Sequence, residues 1–172
     1  MSLATRRVTL LLMSLVLASP ALAVQQGLSA QFRQFDTHQK FDSRPFVDGD
    51  FGYGLAYEIR DEYGFWQVGS LYTPDAGDRT YDYAVTPFLN LFLKDRIFLA
   101  GVGIAKNYLP KTDTNSDDWT PLYWNARLGL ELPIGPNLAL TGMAVYDFER
   151  WGDINKFKFD DAEFAAAVSL LF

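Results

Sequence analysis

The segment FGYGLAYEIR, residues 51–60, alternates without a break. Phe51, Tyr53, Leu55, Tyr57 and Ile59 fall on one face, and Gly52, Gly54, Ala56 and Glu58 on the other. A period of two is the pattern of a β-strand whose faces meet different surroundings. The same alternation recurs along the chain. Leu28, Ala30 and Phe32 oppose Ser29, Gln31 and Arg33. Tyr81, Tyr83, Val85, Pro87, Leu89, Leu91 and Leu93 oppose Asp82, Ala84, Thr86 and Asn90. Leu122, Trp124, Ala126, Leu128, Leu130 and Leu132 oppose Tyr123, Asn125, Arg127, Gly129 and Glu131. Residues 138–148 and 162–172 read the same way. Two segments are less clear in parity: 65–73, where Trp66, Val68 and Tyr72 are set outward, and 97–108, where Phe98, Ala100, Val102 and Ile104 are. The count is eight strands of about 9–12 residues, the length of a tilted membrane crossing.

The connections alternate in length. Residues 61–64, 94–96 and 133–137 are short turns; 37–49, 109–121 and 149–160 are long loops, and 74–79 lies between. Eight strands, an even number, put both chain ends on the short-turn side. The pattern predicts an all-β, eight-stranded antiparallel up-and-down barrel that spans a membrane. Pro87 cannot donate to a ladder, and a closed barrel has no edge strand to hold it, so a bulge or a missing bond is expected there.

A soluble ligand-carrying barrel also alternates, but with its apolar face inside. The second face decides between them. It carries Gly52, Gly54, Ala56, Ala84, Thr86, Gly129, Thr141, Ala165, Ala167 and Ser169, with few charges. A water-facing surface would be rich in Lys, Glu and Asp. This face suits a crowded interior. Its charges have both signs: Arg33, Glu58, Arg127, Glu131, Asp147 and Glu163. Buried, they must pair or cost several kcal/mol each. They are therefore expected to form an ion-paired interior, with Arg33 meeting Glu163 across the seam that closes the barrel. On the apolar face, Phe51, Tyr53, Tyr81, Tyr83, Tyr146, Phe148 and Phe164 form one aromatic band and Trp66, Phe98 and Phe172 a second. Such bands mark the two membrane interfaces. Tyr57 and Trp124 fit them less well.

The ends agree. Arg6 and Arg7, the apolar run from Val8 to Ala18, and Ala21-Leu22-Ala23 have the layout of a secretory signal peptide. Residues 1–23 are assigned to the leader and 24–172 to the barrel. Without Arg6 and Arg7 the chain keeps 13 basic residues against 21 acidic, a net charge of −8. An acidic exported chain is a poor partner for nucleic acid. It has no cysteine, so no disulfide and no lipid-bearing Cys holds it.

With this layout, and a last strand ending in Phe172, the chain resembles the small outer-membrane β-barrels of Gram-negative bacteria, the OmpA/OmpX type. The resemblance implies an outer-membrane location, contact with outer-membrane lipids and lipopolysaccharide, and recognition by the barrel-assembly machinery. In that family the terminal aromatic, with apolar residues at alternate positions before it, is the assembly signal; Phe164, Ala166, Val168, Leu170 and Phe172 match it.

The chemical motifs are sparse. Outer-membrane lipid A deacylases share the scaffold and carry a His-x-Ser pair on their penultimate strand. The corresponding stretch here is Val145-Tyr146-Asp147. The one histidine, His38, lies in the first loop, and no Gly-x-Ser-x-Gly elbow exists. Asp113, Asn115 and Asp117 begin like a calcium loop, but the required Gly and Glu positions hold Asp118 and Trp124. No metal and no cofactor is expected. Lys40, Arg44, Lys111, Arg150, Lys156 and Lys158 are loop bases able to meet lipopolysaccharide phosphates. Gly101 and Gly103 are read as packing relief beside Arg127 or Phe88, or as room for a narrow channel for small hydrophobic molecules of the OmpW sort. A structural or binding role is expected, with loops around Ser43, Asn115 and Asp153 presented outside. A lipid A-modifying enzyme is the alternative.

Overall fold

A computed structural model of the chain describes residues 24–36, 44–77, 81–110 and 117–172. The assigned leader, His38, Ser43, Lys40, Lys111, Asp113 and Asn115 lie outside them. The strands are β1 (Gln25–Gln34), β2 (Phe51–Arg60), β3 (Gly64–Pro74), β4 (Tyr83–Asp95), β5 (Phe98–Ala105), β6 (Tyr108–Pro110), β7 (Asp117–Trp119), β8 (Tyr123–Pro133), β9 (Leu138–Phe148) and β10 (Glu163–Leu171). Each pairs antiparallel with its neighbour. Ladders β3–β4, β5–β8 and β1–β10 close a ring of eight, with β6–β7 as a hairpin extension beyond it. The 109–121 segment, read as loop, thus contributes β7 and part of β6. Two short 3-10 turns, Trp151–Lys156 and Phe159–Asp161, stand in the β9–β10 connection.

Pro87 leaves a missing bond and no bulge. Lys106 N–H donates to the Pro87 carbonyl at 3.2 Å, and the reciprocal bond has no donor. The ladder resumes unshifted, with Val85 opposite Tyr108. That interruption separates β5 from β6.

The seam joins the first and last strands. Gly27 to Gln34 pair with Leu171 to Phe164, and Gln26 and Phe172 exchange backbone bonds of 3.0 and 2.8 Å. One circuit of the ladders gives the stagger. Gln25 lies opposite Arg60, then in turn come Phe65, Phe92, Gly101, Arg127, Val145 and Glu163. Phe164 pairs with Gln34, so Glu163 returns the circuit to Phe35, ten residues beyond its start. Ten residues over eight strands tilts the strands by about 40°.

The faces are sorted as the alternation implies, including both ambiguous strands: Trp66, Val68, Tyr72, Phe98, Ala100 and Val102 point out. Leu55 is 71% exposed on the outer surface, whereas the adjacent inward residues of the same strand, Ala56 and Glu58, are 3% and 1%. The charged side chains Arg33, Glu58, Arg127, Glu131, Asp147 and Glu163 are buried inside and the outer surface is apolar, the inverse of a water-soluble barrel. Side chains fill the interior. Phe65 and Phe92 stack at 4.6 Å, among Leu99, Met143, Val145 and Ala165; Ala56, Leu71, Phe88, Ala105 and Tyr123 form a second cluster. Gly101 and Gly103 are close-approach positions: a Cβ at Gly101 would lie 2.6 Å from the Phe92 ring, and one at Gly103 would collide with Asn90 Oδ1. The neighbours they relieve are thus Phe92 and Asn90, in place of Arg127 and Phe88.

Candidate functional site

The charged residues of the interior collect in two groups, one near each mouth. The group nearer the long loops joins three strands and a loop. Arg33 on β1 donates to Glu163 Oε2 through Nε and Nη2 at 2.9 and 2.6 Å, and to Asp147 Oδ2 through Nη2 at 2.7 Å. Arg33 and Glu163 therefore bond across the seam. Arg44 descends from the β1–β2 loop to complete the group. It pairs with Glu163 Oε1 and lies 3.4 Å from Asp147 Oδ2, while its Nη1 donates to the Asp36 carbonyl at 3.1 Å. Burial pushes the Arg44 guanidinium down to about 10, against the pull of Asp147; it stays charged at neutral pH. Arg33 and Arg44 both face the Asp147 and Glu163 carboxylates, and the charges of Asp36 and Arg127 also act on this group. Phe35 lies against both guanidinia, at 5.0 and 5.6 Å, and stacks on Phe46 at 3.8 Å. Ala76, Ala84, Leu109 and Tyr81 pack on that pair.

The second group sits at the mouth carrying both chain ends. Glu58 accepts from Arg60 Nη1 at 2.8 Å, Gln67 Nε2 at 3.0 Å and Ser169 Oγ at 3.2 Å. Arg60 also pairs with Glu131, which takes Lys94 Nζ at 2.6 Å. Arg60 lies 4.0 Å over the Phe65 ring. A cross-strand row links the groups: Glu58, Gln67, Asn90, Gly103, Asn125 and Asp147 are successive ladder partners. The stagger makes that row climb from one mouth to the other. Gln67 Oε1 accepts from Asn90 at 2.9 Å, and Asn125 Oδ1 from Arg127 Nε at 2.8 Å.

Of the six interior charges named from sequence, Arg33, Asp147 and Glu163 meet at one mouth and Glu58 and Glu131 join through Arg60 at the other. Arg127 is buried too; it bonds Asn125, the ladder partner of Asp147, lies 5.7 Å from the Phe88 ring and is close enough to Arg33 and Asp147 to feel both charges. Sequence reasoning missed Arg60 and Lys94, although both have inward parity at the ends of their strands. It also missed Arg44. Its place in the loop marks it as a base able to meet lipopolysaccharide phosphates, whereas its side chain is buried in the mouth. No parity rule applies in a loop, so no local signal marked it.

Two placements on the apolar face also need correction. Tyr81 packs on the Phe35–Phe46 cluster, before β4 begins. Phe148 keeps its outward parity but is only 2% exposed, because Trp151 of the β9–β10 connection covers it edge-on at 5.4 Å. Trp124, which fits the bands less well, contacts the same Trp151 at 5.1 Å. At the terminal strand, Phe164, Val168, Leu170 and Phe172 are all exposed outward.

Among the described residues there is no histidine and no group of three or more His, Cys, Asp or Glu able to hold a metal ion. What the arrangement does chemically is hold charge out of water by mutual pairing. That fixes the relative positions of β1, β2, β4, β8, β9, β10 and the first long loop.

A closed antiparallel barrel of eight strands, apolar outside and ion-paired inside, defines a membrane β-barrel. No protein-family model matches the chain, and no curated protein matches its sequence. Among solved structures the chain is similar to Neisserial surface protein A, at 14% identity and a TM-score of 0.53, over 87% of this chain and 96% of that one. That likeness is one of fold. Other matches are a de novo designed transmembrane β-barrel (11% identity, TM-score 0.48, 89% and 98% coverage) and Ail, the attachment invasion locus protein of Yersinia pestis (14%, 0.39, 87% and 97%).

Proposed function

We propose that the chain is an outer-membrane β-barrel with a structural or binding role: a rigid scaffold that displays its long loops outside the cell. The observation that carries this reading is the inversion of polarity, with Leu55 and its outward neighbours exposed while Arg33, Glu58, Glu131, Asp147 and Glu163 are buried and paired. Hydrocarbon around the barrel reconciles both faces with one structure. The leader-like residues 1–23 and the terminal Phe172 support export and recognition by the assembly machinery. Outer-membrane lipids and lipopolysaccharide are the surroundings this surface fits. The interior supports a scaffold better than a conduit, since Phe92 and Asn90 stand over the two glycines that might have left a passage.

Separation of inner membrane, outer membrane and soluble envelope fractions from a Gram-negative host tests the location. The protein is expected in the outer membrane, with a mobility in unheated gel samples that changes on boiling. Recovery in the soluble fraction refutes the proposal. Release of acyl groups from lipid A by the purified barrel would replace the scaffold role with an enzymatic one.

A further inference from the structure

The β9–β10 connection does not fold across the barrel mouth. It leans outward over β8 and β9. Tyr146 OH donates to the Asp153 carbonyl at 3.3 Å, and Phe157 meets the Tyr146 ring edge-on at 5.0 Å. Trp151 grips Trp124 and Phe148. Under this roof the wall is set back, because its outward residues are small: Ala126 and Ala144. The result is a slot of about 240 Å³ between Ala126, Leu128, Ala144 and Tyr146 on the wall and Ile154 and Phe157 on the roof. Its lining is apolar throughout, apart from the Tyr146 hydroxyl, which is engaged above.

We propose that this slot holds one acyl chain of an outer-leaflet lipid, an inference that rests on the outer-membrane reading. The slot continues the lipid-facing wall: Leu128 is 66% exposed at its lower end, on the surface that meets hydrocarbon. Its upper end lies beside Tyr146, in the aromatic band where a bilayer presents its headgroups. An acyl chain at that height would ordinarily meet water. Here Ile154 and Phe157 shield it, so the slot extends the hydrocarbon environment upward and retains a chain that bulk lipid would not. Water is a poor filler, because the lining offers no free polar partners. The long-loop mouth places the slot in the outer leaflet. A lipid held there is distinct from annular lipid on open wall such as that at Val68, which is 53% exposed.

Native mass spectrometry of the full-length mature barrel in detergent, titrated with dimyristoyl phosphatidylethanolamine, tests the assignment. The unmodified protein is expected to retain a single lipid, saturably. Ala144→Phe fills the slot from the wall and Ile154→Asp places a charge in its roof; each is expected to reduce retention at least tenfold. Val68→Phe, on bare outer wall, is expected to leave it unchanged. Heat-modifiable mobility of every variant reports that the barrel is folded. Retention unaffected by both slot variants overturns the proposal, as does equal loss in Val68→Phe, non-saturating uptake or no retained lipid. A dimer lost in Ala144→Phe would assign the slot to a second copy of the chain and overturn it too. If the protein is recovered in the outer membrane yet the slot variants retain lipid, only the slot assignment fails.

Discussion

Removing the Arg33 charge should be the most damaging single change in the interior. Arg33→Met keeps much of the length and apolar stem but deletes three hydrogen bonds of 2.6 to 2.9 Å to two buried carboxylates. Breaking a buried pair by removing one partner costs about 3–5 kcal/mol, mostly because the other charge is left uncompensated. Arg44 still faces both Asp147 and Glu163, so the expected loss is at the lower end, about 3 kcal/mol. Asp147 and Glu163 lose the Arg33 contacts and keep those of Arg44. The double variant Arg33→Met/Glu163→Gln also removes the carboxylate that lost its Arg33 partner, leaving Arg44 with Asp147. It should therefore be more stable than Arg33→Met alone, a coupling of about 1–3 kcal/mol between contacting residues. The assay is reversible urea unfolding of the barrel in phosphatidylcholine vesicles, followed by tryptophan fluorescence, with the denaturant slope checked for constancy. A loss below about 1 kcal/mol for the single variant, the range of an exposed pair, would refute the reasoning. So would a double variant no better than the single.

Two further outcomes follow from the fold. Leu55→Arg puts a charge on the outer wall near mid-strand; it should destabilise the vesicle-inserted barrel by about 2–4 kcal/mol, as an arginine at the bilayer midplane does, and a neutral effect in the same unfolding assay would contradict a lipid-facing surface. Deleting Phe172 removes the backbone exchange with Gln26 at the seam and the exposed terminal ring. The folded fraction recovered from cells should fall, read as the heat-modifiable band, and normal recovery would show that the terminus has no part in assembly.

The strands and their faces were legible because a period of two survives in a single sequence wherever one face meets lipid and the other a packed interior. Residues 51–60 show it best. Even Trp66 and Phe98, in strands of weak alternation, could be assigned by extending it. The seam contact of Arg33 with Glu163 was legible for the same reason: closure makes the first and last strands neighbours. What sequence could not show was the contribution of the connections. Arg44 reaches the interior only because residues 44–50 turn back over the mouth, with Asp50 accepting from Val47 and Gly77. Phe148 has the parity of a lipid-facing residue and loses that exposure to a tryptophan three residues later. Long-range covering of this kind leaves no periodic trace. Arg127 is inward and buried, as its parity implies, yet its hydrogen-bond partner is Asn125. Parity says that a charge is inward but not at what height, and height decides which partner it finds.

The ten-residue stagger limits which errors of closure the barrel can tolerate. Alternation forbids a slip of one residue, which would turn every side chain to the wrong face. It does not forbid a slip of two. Such a slip changes the stagger to eight or twelve, and with it the tilt and the diameter of the bore. A narrower bore would crush the stacked Phe65 and Phe92; a wider one would draw Arg33 away from Asp147 and Glu163. The side chains that fill this interior therefore act as a gauge. They reject the even-numbered misregisters that hydrophobicity alone would let pass, and the seam between β1 and β10, the last ladder needed to close the ring, is where that gauge is read.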